Sequence, residues 1–461
     1  MKRRNVKSFL AMLLCIVLTA TLLCGCGEEK SNSGKITIVT WDKPSNDADQ
    51  NVKDLYEARM ARVRAKFPNI EIIDKSVNFA GDYRQEYDKA LMSGTAPTYF
   101  TMFSYTDIPG RIQNGTVRDM SKYIADWNLR KEGKVLSTFD EAISKDGKWY
   151  AVPRDGYLRG TMYNKTLLKE FGADVENLPD TWAKFTKLGA EITDFSIPRI
   201  GYELIGMDWC AWPFTTWVWS AGGEMVRSNG DGTYKLAFNE EAGVDAAVLM
   251  NEMIWKHRMT QKDVLQDMGA IGNDVVTKKA VFAFDTIENY SVDVLKEYGL
   301  TYDDFGVMPI PAKSETEGKP AVLAGGEVIT FNPKASEEEI EAAWKVIEFM
   351  YYDTDECLTY AKESVKSGKP TLKIPARIDL YDEILAMNDF VPEKTIEELE
   401  KMAEIARPEP YCGEWAALKS ELAIPLQRIY LKKDISRAEV KSLLDDCAKT
   451  LYKKYPNSFK K

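Results

Sequence analysis

The chain has 461 residues, too many for one ordinary core, which sets an expectation of two lobes of roughly 150 to 200 residues each. A hydrophobic fraction of 44% and an aromatic fraction of 11% belong to a globular protein, and a net charge of −10 leaves no basic face for nucleic acid. A single histidine, His257, and the absence of any CxxC pair argue against a zinc site and against Ser-His-Asp or Cys-His chemistry, so no metal and no cofactor are expected.

Lys2, Arg3, Arg4 and Lys7 precede an apolar run from Phe9 to Leu23, and Leu23-Cys24-Gly25-Cys26 then leads into the polar GEEKSNSG. These are the parts of an export signal, and the run is short for a spanning helix. Leu-x-Gly-Cys resembles the bacterial lipobox, which implies cleavage after residue 25, lipid on Cys26, residues 26–34 as a flexible tether, and a place on the outer face of the cytoplasmic membrane. Losing residues 1–25 removes four positive charges and no acid, which moves the net charge from −10 to −14. Cys210, Cys357, Cys412 and Cys447 remain, as one disulfide or as free buried thiols.

KITIVT at 35–40 alternates and is β-branched, so it reads as a strand, and Trp41-Asp42 stands at its carboxyl end, where open α/β sheets gather ligands. An amphipathic helix through 52–67 stops at Pro68, and 70–73 makes the next strand of a β-α-β unit. Residues 83–92 read as a helix closed by Ser93-Gly94-Thr95-Ala96-Pro97, and 98–103 as a further strand followed by Tyr105 and Asp107. WCAWPFTTWVWSAGG, Trp209 to Gly223, carries four of the eleven tryptophans. Pro213 and Gly222-Gly223 suggest a loop leading into a short helix with at least one indole facing a cleft. The DG turn within 227–238 suits a hairpin better than a calcium loop. Ser336 and Glu339 form a capping-box pattern, and Trp344 falls on the core face of the helix that follows; Trp127, Trp149, Trp182 and Trp255 are assigned to packing.

Taken in order, ITIVTW, KFPNIEI, LMSGTAPTYF, DGKWYAVPRDGYLRGTMYNKTLLKEFG, LPDTWAKFTKLGAEIT, WSAGGEMV, GGEVITFNPKAS and EAAWKVIEFM resemble the extracellular solute-binding lipoproteins of ABC sugar importers, the maltose-binding-like group. The resemblance covers nearly all of the chain beyond residue 34. It implies an α/β, two-lobe periplasmic-binding-protein-like (type II) fold with three crossover hinge segments, expected near 147–153, 319–324 and 381–385. Lobe one would be 35–150 plus 324–383 and lobe two 151–323 plus 384–461. In one place the chain departs from the family: Thr98 stands where an aspartate commonly follows Ala-Pro.

The same resemblance implies capture of a carbohydrate by hinge closure and its delivery to ABC permease subunits, with no catalysis. A pyranose needs aromatic platforms and an edge of hydrogen-bonding side chains. The expected ligand-binding set is Trp41, Asp42, Thr95, Tyr105, Gly326 and Glu327 from lobe one and Asp155, Tyr157, Trp209, Trp212, Asp285 and Trp415 from lobe two, with Arg84 and Arg154 as candidate readers of an acidic sugar. Two rival readings are a surface-anchored glycoside hydrolase using acids such as Asp155, Asp285 and Glu327, and a ligand-binding partner of a membrane sensor kinase.

Overall fold

The computed structural model describes residues 34–77, 82–266 and 274–461, so the export signal and Cys26 lie outside the described residues. The β-branched KITIVT stretch forms a strand at Ile36–Thr40, paired in parallel with Ile70–Asp74. A parallel pair needs a crossover, and helix Gln50–Lys66 supplies it by burying Leu55, Met60 and Val63 at helical spacing. Helix Tyr83–Ser93 starts where the Asp82 carboxylate accepts the Arg84 N–H and ends at Gly94, whose φ of +77° lies in the left-handed region. Thr98 is buried, and its hydroxyl accepts the Val39 N–H at 2.9 Å, which ties the first strand to the segment entering Tyr99–Ser104. The hydroxyl at this position therefore serves the backbone.

Two long strands, Ala151–Arg159 and Val322–Phe331, run antiparallel between the lobes, with Ala151 opposite Thr330 and Arg159 opposite Leu323. They reach further than the expected crossings because both stay hydrogen-bonded on their outer edges. Ile374–Pro375 flanks the first, and Tyr99–Ser104 and Ala406–Pro408 flank the second. A third passage runs through helix Tyr381–Leu385: Ile384 packs with Ala361 and Leu380 on the first lobe, and Leu385 joins the core of the second. At Gly160, which follows the first crossing strand, an added Cβ would lie 2.5 Å from the Met308 carbonyl oxygen, so only glycine lets the chain turn into the second sheet there.

That second sheet runs in the order Phe305–Met308, Thr161–Asn164, Ala280–Ala283, Ile200–Glu203, the last two parallel. Helix Ala211–Ser220 packs beneath it with all ten residues buried. It begins before Pro213, where the sequence suggested a loop. Proline occupies its third position, and an N–H there has no acceptor within the helix to lose. Trp217 lies 6.0 Å from Trp182 and 5.7 Å from Phe185 in this core. Trp127, Trp182 and Trp344 are buried, and the partly exposed Trp255 donates its N–H to the Tyr430 carbonyl at 2.8 Å. The DG segment is a hairpin, Val226–Ser228 against Tyr234–Leu236. Among the described residues Cys210, Cys357, Cys412 and Cys447 are free thiols. Among the described residues no helix is long and apolar enough to cross a membrane.

Candidate ligand cleft

Strand alternation sends Asp155, Tyr157 and Arg159 to one face of the first crossing strand, and the register sets Asp155 directly opposite Glu327. Two carboxylates so placed repel. A bulge answers this. Glu327 pairs with Asp155 but Val328 with Pro153, so Arg154 is the extra residue of its strand. Its guanidinium lies 3.1 Å from Glu327 and 3.3 Å from Asp155 and donates to the Thr101 carbonyl at 2.8 Å. Lys373 approaches from the far side, 3.4 Å from Asp155 and 3.6 Å from Glu327. Burial disfavours both cations, but the two carboxylates outweigh it and raise Arg154 and Lys373 above their usual ranges.

Toward the second lobe, the Arg159 guanidinium stands 4.5 Å from the Tyr157 ring centre and donates to Glu288 at 3.0 Å, with both charged side chains nearly enclosed. Burial pushes the Glu288 carboxyl up, and Arg159 works against that. Trp212 meets Tyr157 edge-on at 6.3 Å and Phe284 at 5.4 Å, and its N–H has no acceptor among the described residues. Trp209, 6.1 Å from Trp212, is 47% exposed. On the first lobe, half-buried Trp41 packs edge-on against Tyr87 and Phe100. Asp42 accepts the Thr101 hydroxyl at 2.5 Å on one oxygen and has no hydrogen-bond partner among the described residues on the other. Burial pushes its carboxyl up, opposed by the Thr101 bond.

One hollow, about 270 Å³, reaches this charge cluster and is lined by Arg154, Asp155, Glu288, Tyr351 and Lys373, and two others open between the lobes. One, about 410 Å³, lies between Asp82, Tyr83 and Arg84 on the first lobe and Asp208, Trp209, Trp212 and Lys419 on the second. The other, about 460 Å³, lies between the start of helix Gln50–Lys66 and the segment containing Glu288, Asn289 and Asp293, where the Asn51 amide is 3.4 Å from Asp293.

The structure thus sets Asp155, Tyr157 and Glu327 around one charge cluster, with Trp212 against Tyr157 and Trp209 against Trp212, although Asp155 and the two indoles line different hollows; Asp42 joins the cluster through Thr101 and Arg154. Trp41, packed against Tyr87 and Phe100, borders none of these hollows, and five other expected site residues lie elsewhere. Tyr105 is fully buried, stacked on Phe139 at 4.1 Å, and its hydroxyl donates to the Ala324 carbonyl and accepts the Glu409 N–H. Trp415 is fully buried too, with its N–H on the Glu409 carboxylate at 2.7 Å, so it presents no ring face to the cleft. Asp285 is buried and occupied by the Thr286 N–H, the Asn289 amide and the Tyr290 hydroxyl. Gly326 gives its space to a ring, since an added Cβ would lie 2.3 Å from Phe139. Thr95 sits in the turn after helix Tyr83–Ser93, 2.9 Å from the Ser93 hydroxyl, and borders none of the hollows.

Arg159, Glu288, Lys373 and Lys419 were not foreseen. Arg159 was findable, because it continues the two-residue period of Asp155 and Tyr157. Lys373 carries no local signal. It lies 218 positions from Asp155, and only the sheet joins them.

The sequence model of the bacterial extracellular solute-binding protein family matches residues 50–354. The multiple sugar-binding protein of Streptococcus mutans is 22% identical over 379 residues, 75% of this chain and 81% of that protein. The maltotriose-binding protein of Pyrococcus abyssi is 23% identical over 331 residues, 70% of this chain and 63% of that one. Among solved structures, an ABC transporter solute-binding protein from Thermotoga lettingae bound with α-D-tagatose has a TM-score of 0.74 at 16% identity, covering 91% of this chain and 99% of its own. A substrate-binding protein from Listeria monocytogenes in complex with cycloalternan has a TM-score of 0.72 at 18% identity, covering 90% and 98%. At such identities the solved structures speak for the fold, and the family match over more than half the chain speaks for descent: the chain belongs to the bacterial extracellular solute-binding proteins, with the two-lobed maltose-binding-like architecture.

Proposed function

We propose that this protein captures a carbohydrate, an oligosaccharide or glycoside, between its lobes and delivers it to an ABC import permease. In this reading lipid on Cys26 holds it at the outer face of the cytoplasmic membrane. The observation that carries the carbohydrate reading is the run of rings from Trp209 through Trp212 to Tyr157, which ends beside the Arg154, Asp155, Glu327 and Lys373 cluster at the crossing strands. A pyranose has an apolar C–H face for such rings and a hydroxyl rim for such polar groups. The names of the relatives, which bind multiple sugars, maltotriose, tagatose and cycloalternan, support the same class. A ligand that touches both lobes favours the closed form, and that differential contact is the whole thermodynamic basis of closure.

No bond is broken in this reading. Asp285 is saturated by hydrogen bonds, and Asp155 and Glu327 are both tied to the same two cations, so neither is a free acid waiting on one side of a glycosidic bond.

Isothermal calorimetry across a glycan panel tests the assignment. Exposed Trp209→Ala is expected to weaken binding by roughly 1 to 2 kcal/mol, within the range for losing an aromatic contact and its buried area. A protein that binds only peptides or amino acids refutes it. Cys26→Ser is expected to release the protein from the membrane fraction, and full retention would remove the lipid anchor. Deleting the partner permease should abolish uptake and leave binding intact; uptake that persists would count against delivery.

A further inference from the structure

The charge of a ligand is set by the charges its cleft leaves unmatched. Around the hollows, each cation that is at least partly sheltered is already held by an acid. Arg84 lies 2.7 Å from Asp107, Arg159 lies 3.0 Å from Glu288, Lys419 lies 2.8 Å from Glu409, and Arg154 and Lys373 share Asp155 and Glu327. Lys43 and Lys369 are exposed to water, where a single charge contributes little. An anionic ligand would have to break one of these pairs and leave its carboxylate uncompensated, or settle beside acids that stay in place.

What the pairs leave open is hydrogen bonding. A carboxylate has about four acceptor sites, and a cation on one side leaves others available. Two donors near them, Trp212 Nε1 and Arg159 Nε, are buried without a hydrogen-bond partner among the described residues. A hydroxyl donates, accepts and carries no charge, so a run of hydroxyls satisfies both kinds at once.

We infer that the cleft selects a neutral glycan over an anionic one and discriminates against uronate and sulfated ligands, with the Arg159–Glu288 pair enforcing this on the second lobe. The inference rests on the carbohydrate reading and narrows it. Arg84 and Arg154, which the sequence left as candidate readers of an acidic sugar, serve internal pairs instead.

The test uses the full chain in a non-glycosidic detergent. It is screened on an array of neutral, uronate-terminated and sulfated glycans, with calorimetry on the best neutral glycan and its uronate counterpart. Wild type is expected to favour the neutral member at least tenfold. The isosteric Glu288→Gln releases Arg159 and should shrink or reverse that ratio by tenfold or more, and Glu327→Gln, which leaves Arg154 and Lys373 with Asp155 as their one shared acid, provides a second variant should the first not fold. A wild-type preference for the charged glycan overturns the inference while the carbohydrate reading stands. A folded Glu288→Gln protein with an unchanged ratio overturns the role of the pair, and a protein that binds no glycan overturns both.

Discussion

Glu203 closes strand Ile200–Glu203 at the edge of the second lobe's sheet, is fully buried, and has no hydrogen-bond partner on either oxygen among the described residues. Burial, helped by the Asp274 charge and opposed by Lys279, pushes its carboxyl from an ordinary value near 4.5 to about 8. The sign follows from which state holds the proton more tightly. Below about pH 4.5 both states are protonated and the group is neutral toward folding; between about 4.5 and 8 the unfolded chain ionises while the folded one cannot, and stability falls. At about 1.4 kcal/mol per pH unit, the full window amounts to about 5 kcal/mol as a ceiling. Glu203→Gln keeps the shape and removes the proton, so it should match wild type near pH 5 and exceed it at pH 8. For a lobe of this size, a few kcal/mol corresponds to a shift on the order of 10 °C in the melting of the second lobe. Scanning calorimetry of both proteins from pH 5 to 8 measures it. Two melting curves that stay parallel across that range would refute the reasoning, because they would mean that the carboxylate is charged and partnered throughout.

Trp415→Ala should cost about 3 to 5 kcal/mol of stability, the usual range for emptying a buried indole, and it would also strip Glu409 of a donor; a sugar platform would instead lose affinity at nearly unchanged melting temperature. Tyr105→Phe leaves the Glu409 N–H without its acceptor and the Ala324 carbonyl without this donor, and should lower unfolding free energy by about 1 to 3 kcal/mol in chemical denaturation; no change would show that the hydroxyl plays no part at the hinge. Gly326→Ala forces a methyl group against Phe139 and should destabilise the folded protein by about 1 to 3 kcal/mol, read by thermal melting, whereas a residue kept small only for ligand approach would lower affinity instead.

Elements were legible wherever a few neighbouring residues decide the outcome. Gly94 ends a helix, Ser336 and Glu339 cap another, and the β-branched KITIVT run makes a strand, each by local chemistry. Trp415 misled because an indole beside a polar segment reads the same whether it faces solvent or a buried acid. Glu409 stands six positions earlier, and only the folded chain aims its carboxylate at the ring N–H. Tyr105 and Asp285 misled for a related reason, since a polar tip at a strand end is satisfied either by a ligand or by the protein's own backbone.

Arg154 shows most clearly why a cleft is harder to read than its frame. By strict alternation it should point away from Asp155, and a reader of the sequence would put the two on opposite faces of one strand. The bulge reverses this, and the bulge depends on the partner strand, which supplies Glu327 opposite Asp155. Two like charges set across a ladder need a counter-charge between them, and the extra residue provides it from within the same strand while Lys373 completes the cluster from 218 positions away. The cluster therefore exists only when both crossings are paired.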